Sequence, residues 1–285
     1  MRYEVSESQA LIDALAKLFP ESSKTTLRQM LQTGRVRVNG EVEKNAKREL
    51  ELEDAVDVAE KAVYRNLPEG LTMLHEDADV IVVLKANGIL TVPTERERDT
   101  TVQAYLNAYL GQNKGRERIQ VVHRLDRETS GVLVFAKNAY AREQLKEQFA
   151  AHTVDRMYVA IIEREIDPPS GTFRSYLREM KDLKMVSVDA HPDAKYAVTH
   201  YKTIETNRRY SMLEVQLETG RKNQIRAHLS EAGHPIVGDR MYGSEVNPIG
   251  RLGLHAKLLG FDHPVTRKHL VFTAAVPKVF RDVVR

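Results

Sequence analysis

The chain contains no cysteine, which excludes a disulfide framework, a thiolate metal site and a cysteine nucleophile. It has no apolar run of about 18 residues, the length a helix needs to cross a bilayer. It lacks the basic start and apolar centre of a secretory leader, since Glu4, Glu7 and Asp13 fall within residues 1–19. A phosphate loop of the Gly-x-x-x-x-Gly-Lys-Ser/Thr type is missing, which disfavours a nucleotide-driven reaction. Strong charge is missing as well. The net charge is +3 and the pI about 8.9. Residues 1–64 hold ten Lys/Arg against twelve Asp/Glu, and the remainder 33 against 28. Any contact with nucleic acid would therefore have to come from local patches rather than from a global field. These absences fit a chain that stays in a reducing cytoplasm and does not enter a membrane.

The 285 residues, 42% hydrophobic and 29% charged, suit one small and one large globular domain. Residues 8–19 place Leu11, Leu15, Leu18 and Phe19 at helical spacing until Pro20. Residues 25–32 predict a second helix, with Ser22 or Ser23 as N-cap and Gly34 at the C-terminal cap position. Val36 and Val38 alternate with Arg35 and Arg37 ahead of Asn39-Gly40, a hairpin signal. Val56 and Val58 mark another strand. Residues 1–64 are thus expected to form a small α/β module. Residues 60–70, with Pro68 and Gly70, read as a linker.

In residues 65–285, strands are expected at 81–84, 132–135, 158–162 and 210–217, and helices near 101–110, 139–150 and 223–232. They do not alternate regularly, which points to α+β with a mostly antiparallel mixed sheet. Polar loops are expected at 94–118, 170–195 and 244–251.

Three clusters could carry chemistry. His123-Arg124-Leu125-Asp126-Arg127-Glu128-Thr129-Ser130-Gly131 puts a carboxylate between two arginines at the edge of an apolar sheet. Nearby positive charge keeps such a carboxylate ionised, ready to act as nucleophile or base. A salt-bridged structural turn would read the same way. Thr219 to Leu229 follows a strand and opens a helix, with Arg221 at its start and Gln224 and His228 on one face. An ordinary basic helix face is the plainer reading. Gly233 to Gly243 is a turn-rich loop of defined shape. A carboxylate hydrolase using Asp126 with Glu128 is a rival, although glycosidase carboxyls lie about 5 Å or more apart across the scissile bond. A metal site from His75, Asp77 and Asp79 is a weaker one, because that segment reads as a turn before the Ile81 strand.

In this order the clusters closely resemble the large-subunit ribosomal pseudouridine synthases of the RluA/RluD type. The resemblance rests on His-Arg-Leu-Asp with Thr-Ser-Gly at 123–131, Thr-Gly-Arg…Gln-Ile-Arg…His-Leu at 219–229 and Gly-His-Pro-Ile…Gly-Asp…Tyr-Gly at 233–243. Leu252 to Ala256 and Phe261 to Pro264 match the C-terminal motif. The N-terminal module resembles the RNA-binding domain first seen in a ribosomal small-subunit protein, through Thr25 to Gly40. Four departures stand out. Lys85-Ala86-Asn87-Gly88 replaces Lys-Pro-x-Gly, which is expected to relax that loop. Arg156-Met157-Tyr158 replaces Lys-x-Tyr, Asn223 replaces a histidine, and Ser23-Lys24 replaces Ser-Arg.

The resemblance implies the pseudouridine synthase fold and a cofactor-free isomerisation of uridine, without metal. It implies Asp126 as catalytic carboxylate, with Arg226 as its salt-bridge partner (Arg221 in second place) and Tyr158 stacked on the uracil. Arg124 would assist base flipping, while Arg221, Lys85, Gln224 and His123 would adjoin the substrate, His123 chiefly by shaping its loop. Lys24, Arg28, Arg35 and Arg37 are candidate phosphate contacts. The expected partner is structured RNA, ribosomal or transfer, bound by a monomer. A non-catalytic ribosome assembly factor on the same fold is the alternative, and the presence of Asp126 and Tyr158 speaks against it.

Overall fold

A computed structural model describes residues 2–5, 8–32, 35–52, 54–58, 67–111, 118–189 and 191–285. The expected cap at Gly34, linker residues 60–66 and residues 112–117 of the polar loop lie outside them. The chain divides into two compact units, Met1–Leu67 and Pro68–Arg285.

The first unit runs β1 (Arg2–Glu4), β2 (Gln9–Ala10), α1 (Leu11–Leu18), α2 (Lys24–Gln32), β3 (Val36–Val38), β4 (Glu41–Val42), β5 (Glu49–Leu50) and β6 (Ala55–Val58). Its main sheet has the order β1-β6-β3-β4. Helix α1 buries Leu11, Ala14 and Leu15, the i, i+3, i+4 stripe expected of an amphipathic helix. These pack with Leu27 and Leu31 of α2 and with Val36, Val38, Val56 and Val58. Ser23 caps α2, its Oγ accepting the Thr26 N–H at 3.2 Å. Asn39 (φ 53°) and Gly40 (φ 85°) are both left-handed, as a two-residue type I′ hairpin requires.

The second unit runs β7 (Leu71–Glu76), β8 (Val80–Lys85), α3 (Val102–Gly111), β9 (Gln120–Val121), β10 (Ser130–Ala136), α4 (Ala139–Ala150), β11 (Asp155–Glu163), β12 (Ser170–Glu179), β13 (Met185–Val188), β14 (Lys195–Thr206), β15 (Tyr210–Leu217), α5 (Gln224–Glu231), a 3-10 turn at Arg240–Tyr242, β16 (Leu254–Asp262), β17 (His269–Thr273) and α6 (Lys278–Val284). The sheet order is β13-β12-β14-β15-β11-β16-β10-β8-β7, with β17 on β16 and β9 on β10. Among the described strands of this sheet every pair is antiparallel except β10 with β16, joined at Ser130/His255 and Gly131/Ala256. The expected α+β class with a mostly antiparallel mixed sheet is therefore observed.

The expectation of a loop over 170–195 is corrected: β12 and β13 occupy much of it. Most β12 residues stay half-exposed or exposed, so its sequence lacks the apolar alternation that marks a half-buried strand. Strand β10, by contrast, is buried along its whole length and was legible as a continuous apolar run.

Candidate active site

Asp126 lies in the segment 122–129 that feeds β10, and its neighbours are pinned on both sides. Leu125 is held by Thr91, whose Oγ1 donates to its carbonyl at 2.7 Å and accepts its N–H at 3.2 Å. The Thr129 N–H closes a turn onto the Asp126 carbonyl at 3.2 Å. The Arg127 carbonyl accepts from the Gly88 N–H and from Lys85 Nζ, both at 2.9 Å. The Arg127 side chain pairs with Glu97 at 2.7 Å. Ser130 Oγ accepts from Arg251 at 2.7 Å and shares a hydrogen with His255 Nδ1 at 2.7 Å. Gly131 has φ 131° where the parallel seam is tightest, and a Cβ there would overlap the Ala256 backbone. The motif's glycine is thus a packing requirement.

Lys85 departs from its expected place beside the substrate. It is fully buried and spends its three N–H donors on the carbonyls of Ala86, Ile89 and Arg127 at 2.8–2.9 Å. Burial pushes its ammonium down to about 7, with Glu128 pulling the other way. It supports the turn that carries Asp126. The expected relaxation at Ala86 is also corrected, because the Ala86 N–H donates to the Gly70 carbonyl at 2.8 Å. A proline there would have no hydrogen to give.

Arg226 projects from α5 and meets Asp126 at 3.4 Å, NH1 to Oδ2, the partner expected of it. Its stronger attachment is to Asp239, through Nε at 2.6 Å and NH2 at 2.8 Å. NH1 also donates to Asn223 Oδ1 at 2.8 Å, and the guanidinium stands 4.8 Å from the Tyr242 ring centre. Asn223 has φ 50°, a conformation asparagine tolerates better than most residues. It therefore shapes the helix entry and orients Arg226 together. Asp239 was not singled out as a site residue, though it stands in the turn-rich cluster whose shape was noted.

Tyr158 lies on β11 beside a register shift against β16 between Met157 and Tyr158, a local irregularity of the kind that re-aims side chains. Burial raises its phenol pKa, Arg156 opposes this and Asp126 adds to it, so the hydroxyl stays protonated at neutral pH. Arg221 donates from Nε to the Tyr196 carbonyl at 3.0 Å and is not the partner of Asp126. Arg124 is exposed.

Gln224, expected at the substrate, lines the same cavity as Asp126, and its polar atoms are bonded internally. Its Nε2 donates to Val198 O and Thr199 Oγ1, and its Oε1 accepts from Thr219 Oγ1 and the Arg221 N–H, all at 2.8–2.9 Å. It braces the turn that presents Arg221. His228, its predicted face-mate, is bound to Thr199 and Ser175. His123 accepts the Val134 N–H on Nε2 at 3.1 Å and stacks on Phe149 at 4.7 Å. Burial pushes its imidazole down to about 3. It locks the loop to β10 in the neutral form.

Asp126, Tyr158, Arg124, Arg221 and Arg226 line one cavity of about 220 Å³. Asp126 is the sole carboxylate among the described residues of its wall, which also holds Lys222 and the apolar Leu217, Ile225 and Leu254. Glu128 is exposed and outside it, so the two-carboxylate hydrolase loses its second group. At the weaker rival site, Asp77 accepts from the Asp79 and Val80 N–H groups at 2.8 Å and meets His75 and His263 at 2.7 and 3.0 Å. Asp77, Asp79 and His263 are close enough together to hold an ion, yet Asp77 already serves as the lock of the β7–β8 turn. In the small unit, Lys24 and Arg28 are exposed on α2, four residues apart and so on one face. Arg37 lies on β3 and Arg35 just before it.

A single carboxylate held against a guanidinium shares a cation-lined cavity with an aromatic ring, a set of groups suited to acid–base or nucleophilic chemistry on an anionic substrate. Residues 79–231 match the RNA pseudouridylate synthase family and residues 11–56 the S4 domain. The chain is 35% identical to the uncharacterized RNA pseudouridine synthase YlyB of Bacillus subtilis, covering 99% of this chain and 95% of that one. It is 32% identical to ribosomal large subunit pseudouridine synthase D of Yersinia pestis, covering 96% and 90%. Human RNA pseudouridylate synthase domain containing 4 has a similar structure, with a TM-score of 0.61 at 28% identity over 73% of this chain and 90% of that one. The chain belongs to the RNA pseudouridylate synthase family and is an RNA-modifying isomerase with an N-terminal S4 domain.

Proposed function

We propose that the enzyme isomerises uridines in large-subunit ribosomal RNA, taking each from a loop or bulge into the cavity between Asp126 and Tyr158. The observation that carries this is the lone carboxylate, Asp126, fixed at 3.4 Å from Arg226 in a cavity walled by Tyr158 and four cationic side chains. The relatives named for large-subunit synthase D support the choice of RNA. Unstacking a base costs a few kcal/mol and least in unpaired segments, which favours loops as targets.

Tyr158 stacks on the uracil and holds it while the ribose–nitrogen bond breaks and the ribose–carbon bond forms. The proton leaving that carbon is balanced by the one gained at the freed nitrogen. Asp126 opens the exchange as nucleophile or base, and Arg226 keeps it aimed while water is excluded. Arg124, exposed at the cavity mouth, takes the space the flipped base leaves. Lys24, Arg28, Arg35 and Arg37 of the S4 domain hold phosphates of the RNA. The enzyme works as a monomer, the RNA supplying its partner surface, in the cytoplasm where ribosomes are built.

The test is pseudouridine mapping on total RNA from cells lacking this enzyme, treated with the wild-type chain or Asp126→Ala. New Asp126-dependent pseudouridines in large-subunit RNA are expected. Their appearance in transfer RNA alone would reassign the substrate, and wild-type levels with Asp126→Ala would remove Asp126 from the chemistry.

A further inference from the structure

A second cavity, of about 440 Å³, adjoins the catalytic one. The two share Arg124, Tyr158, Leu217, Gly220 and Arg221. The second continues past them to His123, Phe149, His152 and Arg156, and no carboxylate is among the described residues of its wall. A buried guanidinium beside a space without an acid carries an uncompensated desolvation cost that an anion would relieve.

Arg156 makes the case specific. It is 8% exposed, yet its one hydrogen bond to the protein runs from NH2 to the Glu218 carbonyl at 3.1 Å. Its Nε is buried without a partner. Burial, and then Arg221, lower its proton affinity, opposed by Tyr158, and no carboxylate is among its influences. The Phe149 ring, 5.6 Å from the guanidinium carbon, supports it from one side. Gly220 leaves it room, because a Cβ there would overlap NH1. Resemblance to the family suggests lysine at this position. Arginine differs from lysine in offering a planar fork that can take two oxygens of one phosphate.

We propose that this second cavity is a phosphodiester subsite, in which Arg156, flanked by Arg124 and Arg221, binds a backbone phosphate of the RNA strand beside the target uridine. The RNA part of this assignment rests on the substrate reading above, while the anion part stands on the cavity itself. A phosphate so placed would fix the strand's register as the base turns over Tyr158.

Two measurements on the full chain test it, with Arg156→Gln and Arg156→Lys as variants. The first is thermal stability in inorganic phosphate against chloride at equal ionic strength. Phosphate should stabilise the wild type and not Arg156→Gln. Equal stabilisation of both would overturn the subsite. The second is single-turnover tritium release from a large-subunit RNA transcript carrying [5-³H]uridine, across a salt series. For Arg156→Gln the half-saturating RNA concentration should rise about tenfold, the loss of one charge-assisted hydrogen bond. The slope of log affinity on log salt should fall by about 0.7, one single-strand phosphate contact. Arg156→Lys should keep the slope and lose part of the affinity. A slope unchanged in Arg156→Gln, or lowered equally in Arg156→Lys, would overturn the proposal and leave Arg156 as packing for Tyr158. If the wild type fails to turn over this RNA, the substrate assignment falls and the phosphate measurement alone decides the subsite.

Discussion

Arg226 is bound more firmly to Asp239 than to Asp126: two contacts of 2.6 and 2.8 Å against one of 3.4 Å. The Asp239 side chain is 1% exposed and that of Asp126 29%. Asp239 therefore neutralises most of the buried guanidinium and fixes its plane. Arg226 reaches Asp126 with an oriented but only partly engaged charge, at 3.4 Å.

Asp239→Asn keeps the shape and removes the charge, so Arg226 should swing toward Asp126. Misplacing a reacting group by about 1 Å can cost on the order of a hundredfold in rate, and a loss of that size is expected in single-turnover isomerisation with RNA affinity nearly unchanged. Breaking a buried pair should also lower unfolding stability by about 3 kcal/mol, read by denaturant titration. A rate within twofold of wild type would show that Asp239 does not position Arg226.

Much of this arrangement could be read from sequence, and the reason differs by element. Strands β8 and β10 are buried through most or all of their length and announce themselves as apolar runs. The Asn39-Gly40 hairpin follows from backbone chirality. Asp126, Tyr158 and Arg226 were placed by resemblance, and the structure brings them into one cavity. Lys85 misled because a charged side chain in a motif looks like a ligand contact, and only the three-dimensional structure shows that its partners are backbone carbonyls. Gln224 stands in the cavity wall, but only the three-dimensional structure shows its bonds to backbone and side chains of distant segments. Asp239 escaped notice for the same reason, standing thirteen residues from Arg226 in a segment without periodicity. Strand β12 was missed because its exposure removes the pattern that burial writes into sequence.

Gly131→Ala should fold poorly. The new Cβ would overlap the Ala256 backbone at the parallel β10–β16 seam, at a φ of 131° that side chains rarely adopt. Overpacking and backbone strain together should cost about 3 kcal/mol, measured as a fall in denaturant midpoint. The Asp126 turn ends at this seam, so activity should fall more than global stability explains. A variant as stable as wild type would mean that the seam opens freely.

Acid should destabilise the catalytic unit from pH 6.5 downward. His123 and His255 are pushed to about 3 and about 4 chiefly by burial, below their unfolded value of about 6.5. Groups with depressed folded pKa values stabilise fully above the unfolded value, and that stability is lost as pH falls toward the folded one. Asp77, lowered to about 2 by its hydrogen bonds against the pull of burial, acts only below its ordinary value near 3.8. Each neutral histidine should contribute a slope of up to about 1.4 kcal/mol per pH unit. His123→Gln, whose amide can still accept the Val134 N–H, should remove one proton from the slope between pH 6 and 4.5. Thermal unfolding across that range measures it, and an unchanged slope would mean His123 is protonated in the fold.

Tyr158 separates holding from chemistry. Its ring faces the cavity, and its raised phenol pKa leaves less phenolate than free tyrosine at any pH below 10. Its own ionisation should therefore give no rise in rate between pH 7 and 9. Tyr158→Phe keeps the stacking face, so the half-saturating RNA concentration should move less than about twofold, because base stacking on an aromatic carries the contact. Its single-turnover rate should fall by about a hundredfold or more if the hydroxyl moves the proton from the ring carbon, a contribution typical of positioned acid–base groups. Tyr158→Ala should lose both, with about 1–3 kcal/mol of affinity gone along with the stack. A Tyr158→Phe chain at full rate would assign the tyrosine to stacking alone and move proton removal to Asp126, the carboxylate in the cavity wall.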